Sequence, residues 1–178
     1  MKHPTGDSGK AKLRISLVTP TYRSGKLLDS CIQSVREQKY SNLEYIIVDG
    51  GGCDETKQVV NQHADFVSKF ISEPDEGMYD AINKGFAQAT GEIFCWLNTD
   101  DKYFPHCLDI VSEIFARFPD VMWISGYQAV SVSGIVTSVC DAFYPKDLIQ
   151  MGLCNGKMLP HITQETVFWR RQCWEGCG

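Results

Sequence analysis

The sequence predicts an α/β fold in which a mostly parallel sheet carries helices on both faces. Short apolar segments alternate with amphipathic segments of helical length from Ile15 to Tyr127. Most of the apolar segments run directly into polar turns. The chain has 178 residues, of which 43% are hydrophobic and 22% are charged, and this suits one globular domain with a single core. Strands that alternate with helices of this length are typical of a parallel sheet.

Five strands and four helices are predicted in alternation. The strands are expected at residues 15–19, 44–52, 66–72, 92–98 and 121–127, and the helices at residues 27–38, 55–64, 78–89 and 106–118. Asp54 is expected to cap the second helix, and Phe118 to lie on the core face of the fourth. Because crossovers between parallel strands are nearly always right-handed, the carboxyl ends of the strands should meet at one edge of the sheet.

The pattern changes after Tyr127. Three further elements are predicted: a hairpin at residues 128–143, a short helix at residues 145–152 and a strand at residues 163–171. No recognisable element follows the last strand, so the fold is expected to be truncated at its C-terminus. Residues 1–12 are predicted to form a disordered tail, and residues 13–178 a single domain.

Charge and composition exclude several classes of protein. The net charge of −5 and the lack of a Lys/Arg cluster beyond Arg170 and Arg171 argue against a nucleic-acid partner. No apolar segment is long enough to be a transmembrane segment, and the polar N-terminus is no secretory signal. Cys31 and Cys95 occupy apolar positions of patterned segments, and the eight cysteines include no C-x-x-C pair, which favours buried free thiols in a cytoplasmic protein. Cys173 and Cys177 are only a weak zinc signal.

Carboxylates follow three of the predicted strands. Asp49 ends the second strand, Glu73 and Asp75 follow the third, and Asp100 and Asp101 follow the fourth. At one sheet edge these groups would repel one another, and a divalent cation such as Mg²⁺ or Mn²⁺ would remove that repulsion. The alternative is that the residues only form turns and helix caps. The convergence favours a site for a metal-bound, phosphorylated ligand.

The sequence lacks the motifs of several common nucleotide-binding and catalytic sites. No G-x-G-x-x-G follows a strand, which excludes the usual dinucleotide fingerprint. The glycine-rich segment DGGGCDET lacks the Gly-Lys-Ser/Thr of a P-loop. Neither G-x-S-x-G nor HExxH occurs. The phosphorylated ligand is therefore expected to be neither NAD nor an ATP that the protein hydrolyses.

Three segments together resemble the bacterial family 2 glycosyltransferases with the GT-A fold. They are ISLVTPTYRSGKLLDSCIQSVREQKYSNLEYIIVDGGGCDET, ISEPDEGMYDAINKGFAQATGE and WLNTDD. The similarity is greatest to members that build colanic acid and other surface polysaccharides. It extends from Leu13 to Arg171. It implies that residues 13–118 form a nucleotide-sugar-binding half and residues 119–178 an acceptor-side half.

The resemblance implies roles for residues around the donor. Those matching the loop that holds the base and ribose are Thr19, Pro20, Thr21 and Tyr22. Asp49 matches the carboxylate that binds the base, usually uracil. Residues matching the wall of the nucleotide-sugar pocket and the following helix start are Glu73, Asp75, Gly77, Tyr79, Asp80 and Asn83. Packing remains an alternative role for Tyr22 and Tyr79, and Trp96, Phe168 and Trp169 are expected in the core or the pocket wall.

The resemblance also implies catalytic residues. Asp100 would face the ribose or sugar, and Asp101 would hold the metal on the diphosphate, although Thr99 stands where the family usually has Asp or Ser. Glu165 matches the late carboxylate that acts as the base. In a strand Gln164 would face the opposite way, and Asp141 is the second candidate. One of the arginines at 170 and 171 could hold a phosphate.

The implied activity is inverting transfer of a sugar from a nucleoside diphosphate donor, with UDP favoured, to an acceptor hydroxyl. Mn²⁺ or Mg²⁺ would be the cofactor. The acceptor would be a saccharide or a lipid-linked saccharide. The protein is expected in the cytoplasm, and peripheral association with the inner face of the membrane is left open. Two alternatives remain: a nucleotide-sugar-binding module without turnover, and a sugar-phosphate nucleotidyltransferase.

Overall fold

The computed structural model describes residues 12–132, 134–140, 144–159 and 162–177. Residues 1–11 of the predicted tail lie outside this range. These described residues form eight strands: β1 (Ile15–Thr21), β2 (Leu43–Asp49), β3 (Lys69–Ser72), β4 (Ile93–Trp96), β5 (Trp123–Ser125), β6 (Gln128–Val132), β7 (Ile135–Cys140) and β8 (Val167–Arg170). The same residues form six helices: α1 (Gly25–Arg36), α2 (Asp54–Gln62), α3 (Met78–Ala87), α4 (Cys107–Arg117), α5 (Lys146–Gln150) and α6 (Arg171–Cys177).

Six strands form one mostly parallel sheet in the order β3-β2-β1-β4-β8-β5, which confirms the predicted fold class. Strands β1 to β4 pair in parallel. The late strand β8 lies between β4 and β5 and runs antiparallel to both. An antiparallel strand begins at the edge where its neighbours end. The segment that precedes β8 therefore joins the carboxyl ends of the parallel strands.

Helices cover both faces of the sheet. On one face α1, α2 and α4 pack on alternate residues of the strands, such as Leu17 and Ile47. On the other face α3 packs on Val18 and Val48, and Trp174 of α6 joins this second cluster. All seven residues of β1 are buried, because this strand is covered on both faces.

Five sequence predictions differ from the structure. The largest difference is that a helix, α6, follows the last strand, where no further element was predicted. Asp54 does not cap α2: it is the first helical residue, and Cys53 precedes it without a side-chain capping bond. Phe118 is 51% exposed, because α4 ends one residue before it. The third strand begins only at Lys69, since the backbone before it turns back on His63. The last strand is also shorter, because residues 164–166 form a 3₁₀ turn.

Arg170 and Arg171 are engaged with the chain itself. The Arg170 guanidinium donates to the backbone carbonyls of Val121 and Phe115 at 2.9 and 2.7 Å. Arg171 forms an ion pair with Glu175 at 2.6 Å. Arg170 therefore holds the end of α4 against β8, and its guanidinium is not directed at a phosphate.

The predicted hairpin is present as a separate two-stranded sheet of β6 and β7. Ser133, near its turn, lies outside the described residues. Cys31 and Cys95 are buried free thiols, as predicted. No helix in the described part of the chain is long and apolar enough to cross a bilayer.

A buried carboxylate anchors the opposite edge of the sheet. Glu44, at the start of β2, accepts hydrogen bonds from the Ser16 hydroxyl and from the amide and hydroxyl of Thr90. Burial alone would raise the pKa of Glu44, but these donors, together with Arg14, outweigh it and hold the pKa below its usual value. This acid stabilises the amino ends of the strands and is remote from the edge described next.

Candidate functional site

A cleft of about 660 Å³ opens at the carboxyl edge of the parallel strands. It lies where the segments following β1 and β4 meet the start of α3. The residues that line it are Pro20, Thr21, Tyr22, Ser24, Asp75, Gly77, Met78, Ala81, Asn98, Thr99 and Asp100. The structure thus brings six of the predicted donor-binding residues into one cleft: Pro20, Thr21, Tyr22, Asp75, Gly77 and Asp100.

The end of β1 and the residue after it bring a buried, unpaired hydroxyl and an exposed ring to the wall of this cleft. Tyr22 is 59% exposed, and the guanidinium of Arg23 lies 5.2 Å from its ring centre. Thr21 is only 5% exposed, and its Oγ1 is the one buried side-chain polar atom in the described residues without a hydrogen-bond partner. A buried hydroxyl without a partner costs free energy, so a ligand that bonds to Thr21 would recover part of that cost.

Two predicted residues, Thr19 and Asp49, lie behind the wall of the cleft. Thr19 is fully buried, and its hydroxyl bonds to the Tyr45 hydroxyl at 3.1 Å. Asp49 has 0% exposed surface. Its two oxygens accept from the Gly51 amide at 3.1 Å and the Ser72 hydroxyl at 3.2 Å. Both side chains serve the fold in this structure, and neither is exposed to a ligand.

The segment between β3 and α3 contributes a second group. The Asp75 carboxylate accepts from the Gly77 amide at 2.9 Å, which shapes the turn into α3. Gly77 has a φ of +117°, a backbone conformation that favours glycine. Glu73 lies outside the cleft lining and pairs with Lys84 at 3.3 Å, and Lys84 also pairs with Asp80 at 3.1 Å. Glu73 and Asp80 therefore brace α3 beside the cleft.

The acidic pair after β4 faces a third acid. Asp100 is exposed in the cleft, whereas Asp101 is partly buried and accepts from the Asn98 side chain at 3.3 Å. Burial and the negative charges of Glu165 and Asp100 raise the pKa of Asp101 from 3.8 to about 6. The antiparallel β8 brings Glu165 to this edge. Its carboxylate also accepts from the Gln128 side chain at 2.9 Å.

A second, apolar cavity of about 350 Å³ adjoins the cleft along α3. Tyr79, Asn83 and Gln164 line it together with Trp96 and Trp169. Trp96 and Trp169 therefore form a cavity wall as predicted. Phe168, only 3% exposed, belongs to the core. Tyr79 is 67% exposed and contacts Trp96, so it does not act as a core aromatic.

Gln164 and Glu165 do not sit in a strand, so the predicted alternation of their side chains does not apply. Their side chains still have different surroundings. Gln164 lines the apolar cavity, whereas Glu165 accepts a hydrogen bond from Gln128 and its negative charge acts on Asp101. Asp141, the second candidate for the base, lies outside the described residues.

Sequence reasoning missed several cleft residues. Asn98 lines the cleft and also holds Asp101, and Ser24, Met78 and Ala81 complete the lining. The sequence signal for Asn98 is its place at the end of an apolar strand, two residues before the adjacent aspartates. Met78 and Ala81 carried no such signal, because small and apolar residues at a helix start are ordinary packing residues.

The described residues contain no group of three or more His, Cys, Asp or Glu side chains arranged to hold a metal ion. They therefore give no support to a zinc site at Cys173. A cation shared with the phosphates of a ligand needs only one or two protein carboxylates. The partly buried Asp101, crowded by two other acids, fits such a shared site and does not fit a cation held by the protein alone.

The family of this chain is defined by its sequence match. The model of glycosyl transferase family 2 matches residues 16–151, which is most of the chain. The chain belongs to this family, which confirms the resemblance found in the sequence.

Individual relatives agree with this assignment. An uncharacterized glycosyltransferase of Nostoc sp. is 36% identical over 106 residues, which is 58% of this chain and 33% of that protein. A PGL/p-HBAD biosynthesis glycosyltransferase of Mycobacterium bovis is 33% identical over 92 residues, covering 50% of this chain and 36% of its own length. The matches thus span about a third of the length of these relatives.

Solved structures show the same fold at low identity. A mannosyltransferase of Pyrobaculum calidifontis, in complex with GDP-Man and Mn²⁺, has a TM-score of 0.66 at 21% identity, covering 94% of this chain and 47% of its own. S. aureus TarS 1-349, in complex with UDP-GlcNAc, has a TM-score of 0.68 at 17% identity, covering 92% of this chain and 47% of its own. The described domain therefore has the fold of these glycosyltransferases.

Proposed function

We propose that this chain is the donor-binding and catalytic domain of a glycosyltransferase that takes its sugar from a nucleoside diphosphate sugar. The observation that carries the proposal is the cleft at the carboxyl edge of the sheet, which is lined by Thr21, the exposed ring of Tyr22 and Asp100, the first acid of the adjacent pair. The family match supports it. The two structural neighbours in complex with GDP-Man and UDP-GlcNAc support this class of donor.

The donor would lie along the cleft with its base near Thr21 and Tyr22 and its diphosphate near the start of α3 and Asp100. The amino end of a helix attracts negative charge, and Gly77 and Met78 at the start of α3 line the cleft. Asp101 would hold Mn²⁺ or Mg²⁺ together with the diphosphate. When bound, that cation would neutralise the charge that develops on the departing diphosphate.

The chemistry would be an inverting displacement at the anomeric carbon. The acceptor oxygen forms the new bond to this carbon while the bond to the diphosphate oxygen breaks and its electron pair leaves with the diphosphate. Glu165 would take the proton of the acceptor hydroxyl. Its hydrogen bond from Gln128 would orient the carboxylate. The arrangement parallels inverting glycoside hydrolysis, with an acceptor hydroxyl in place of water.

One half of the chain would bind the donor, and the other half would contact the acceptor. All lining residues of the cleft fall between Pro20 and Asp100, within the proposed donor half at 13–118. Gln164 and Glu165 come from the proposed acceptor half at 119–178. The acceptor would be a saccharide or lipid-linked saccharide for a surface polysaccharide, handled in the cytoplasm at the inner face of the membrane.

The test is release of nucleoside diphosphate from its sugar. With UDP-glucose, UDP-GlcNAc or GDP-mannose and Mn²⁺, the protein should release the diphosphate slowly to water and faster with a saccharide acceptor. EDTA should suppress the release, because the diphosphate would lose its neutralising cation. Glu113→Gln, which removes an exposed acid on α4, is the matched control and should not change the rate.

Two outcomes would contradict parts of this proposal. Binding of donor without any release would support the alternative of a nucleotide-sugar-binding module. Neither binding nor release with any of the three donors would reject the donor class itself.

A further inference from the structure

All four tryptophans of the chain line one cavity, the apolar cavity of about 350 Å³ that adjoins the cleft. They are Trp96, Trp123, Trp169 and Trp174. Trp123 and Trp169 lie opposite each other in the pairing of β5 with β8, and directly opposite side chains share a face of the sheet. Phe86 contacts the rings of Trp169 and Trp174 at centroid distances of 5.5 and 4.9 Å, which fixes their orientation. The wall of the cavity is therefore a set of flat faces that the fold holds in place.

The cavity also carries polar groups that the fold leaves unused. Within the described residues, none of the four indole N–H groups makes a hydrogen bond, and neither do the side-chain amides of Asn83 and Gln164. Trp123 and Asn83 are exposed. The other groups are not sealed inside the protein, because Thr21 Oγ1 is the only buried side-chain polar atom that lacks a partner in the described part of the chain. A ligand that replaces water here must therefore offer hydrogen-bond acceptors to the indole and amide donors.

The composition of the wall indicates a neutral ring that carries hydroxyl groups. None of the described residues that line the cavity is charged, so a phosphate would find no counter-charge there. An isoprenoid chain would cover the flat faces but would leave the indole and amide groups without partners, which costs free energy. A pyranose ring suits both features, because its C–H groups form an apolar face and its hydroxyls surround that face. The volume lies near the lower end of the range of about 300–1,000 Å³ for small-molecule sites and suits one such ring.

The cavity borders the groups that are proposed to act in the transfer. Gln164 lines the cavity, and the next residue, Glu165, is the proposed base. Along α3, Tyr79 and Asn83 line the cavity, whereas Met78 lines the cleft. A ring in the cavity is thus bounded by residues that are adjacent in the chain to the donor cleft and to the base.

We propose that this aromatic cavity binds the sugar ring of the acceptor, with the ring against the tryptophan faces and its hydroxyls bonded to Asn83 and Gln164. The inference rests on the proposed function and names the part of the acceptor that the protein recognises. The hydroxyl that receives the transferred sugar then belongs to another sugar, and not to a lipid phosphate. Any lipid attached to that acceptor sugar stays outside the cavity.

The test is tryptophan fluorescence during titration with the methyl glycosides of glucose, galactose, mannose and N-acetylglucosamine, with and without saturating UDP and Mn²⁺. Because all four tryptophans line the cavity, their emission reports on its occupancy. At least one methyl glycoside should change the emission saturably. Farnesol, an isoprenoid alcohol without a sugar, should not.

Two variants test the polar and the aromatic contacts separately. Gln164→Ala should weaken saccharide binding by about threefold to tenfold, since hydrogen bonds to the sugar are lost. Gln150→Ala removes an exposed amide at the end of α5 and is its matched control. Trp123→Leu keeps an apolar side chain but removes the flat face and the indole N–H, so it should weaken binding by a similar factor. Phe118→Leu, which replaces an exposed ring outside the cavity, is the second control.

The outcomes separate this inference from the proposed function. If no methyl glycoside changes the emission, or if farnesol binds and the glycosides do not, the assignment of the cavity to a sugar is overturned. Unchanged saccharide affinity in both Gln164→Ala and Trp123→Leu would place the sugar elsewhere. A dimer in light scattering that Trp123→Leu dissociates would assign the cavity to a second copy of the chain. Calorimetric binding of UDP with Mn²⁺ should be the same in all four variants, and a wild type that binds none of UDP, GDP and dTDP would reject the proposed function instead.

Discussion

Glu165→Gln is expected to lower the turnover by at least about a hundredfold, because a general base contributes roughly a hundredfold to ten-thousandfold in rate. Glutamine preserves the size of the side chain and can still bond to Gln128, but it cannot take a proton from the acceptor. Donor affinity should barely change, since the proposed contact of Glu165 is with the acceptor. Steady-state rates with a saccharide acceptor, and donor affinity by calorimetry, measure the two quantities separately.

Glu175→Gln is the matched control for this experiment. Glu175 is an exposed acid on α6 that pairs with Arg171, and its loss should leave the rate unchanged. A Glu165→Gln variant that keeps most of its turnover would contradict the assignment of Glu165 as the general base. A variant that loses donor affinity and turnover in parallel would place Glu165 at the donor instead.

Asp101→Asn is expected to have two opposite effects on stability. In the metal-free protein the charged form of Asp101 is disfavoured by burial, by Glu165 and by Asp100. Removing the charge should therefore stabilise the fold. A rise in pKa from 3.8 to about 6 corresponds to at most about 3 kcal/mol, and solvent screening of this partly exposed group reduces the expected gain to about 1–2 kcal/mol.

The sign of this effect fixes its pH dependence. The folded state binds the proton of Asp101 more tightly than the unfolded state does. The wild type therefore loses stability as the pH rises from about 4 to about 6, and the full penalty remains above that range. The gain from Asp101→Asn should be small near pH 4 and constant above pH 7. Urea unfolding of both proteins in EDTA across this range measures it.

UDP with Mn²⁺ should make the wild type more stable than Asp101→Asn, which is the reverse of their order in EDTA. With UDP and Mn²⁺ the wild type should gain stability beyond its gain with UDP alone, while the variant should not, because its proposed metal ligand is gone. A variant with the same Mn²⁺-dependent gain as the wild type would show that Asp101 is not the ligand.

The convergence of residues at the cleft could be predicted because it depends on local patterns and on chain handedness. Apolar segments that end in polar turns predicted β1 to β4, and right-handed crossovers then place the carboxyl ends of these strands at one edge. Pro20, Asp75 and Asp100 therefore meet as expected. Local pattern also predicted buried free thiols at Cys31 and Cys95, because both occupy apolar positions and no C-x-x-C pair occurs.

Other features depend on contacts between residues distant in the sequence, and no local pattern reveals them. The insertion of β8 between β4 and β5 rests on pairings such as Phe94 with Trp169 and Ile124 with Phe168. The apolar pattern at residues 163–171 indicated a strand but neither its neighbours nor its direction. The orientation of a carboxylate cannot be predicted from local pattern either. Asp49 ends a strand and Asp75 follows one, yet only Asp75 lines the cleft.

The most direct test of the central claim is thermal unfolding of the protein with UDP, GDP or dTDP, each in Mn²⁺ and in EDTA. At about 100 times its dissociation constant, a nucleotide that binds only the folded state adds about 2.7 kcal/mol of stability. We predict that at least one of the three, with UDP favoured, raises the unfolding temperature in Mn²⁺ and raises it clearly less in EDTA. Equal shifts in Mn²⁺ and EDTA, or no shift with any of them, would contradict a metal-dependent nucleoside diphosphate site in this cleft.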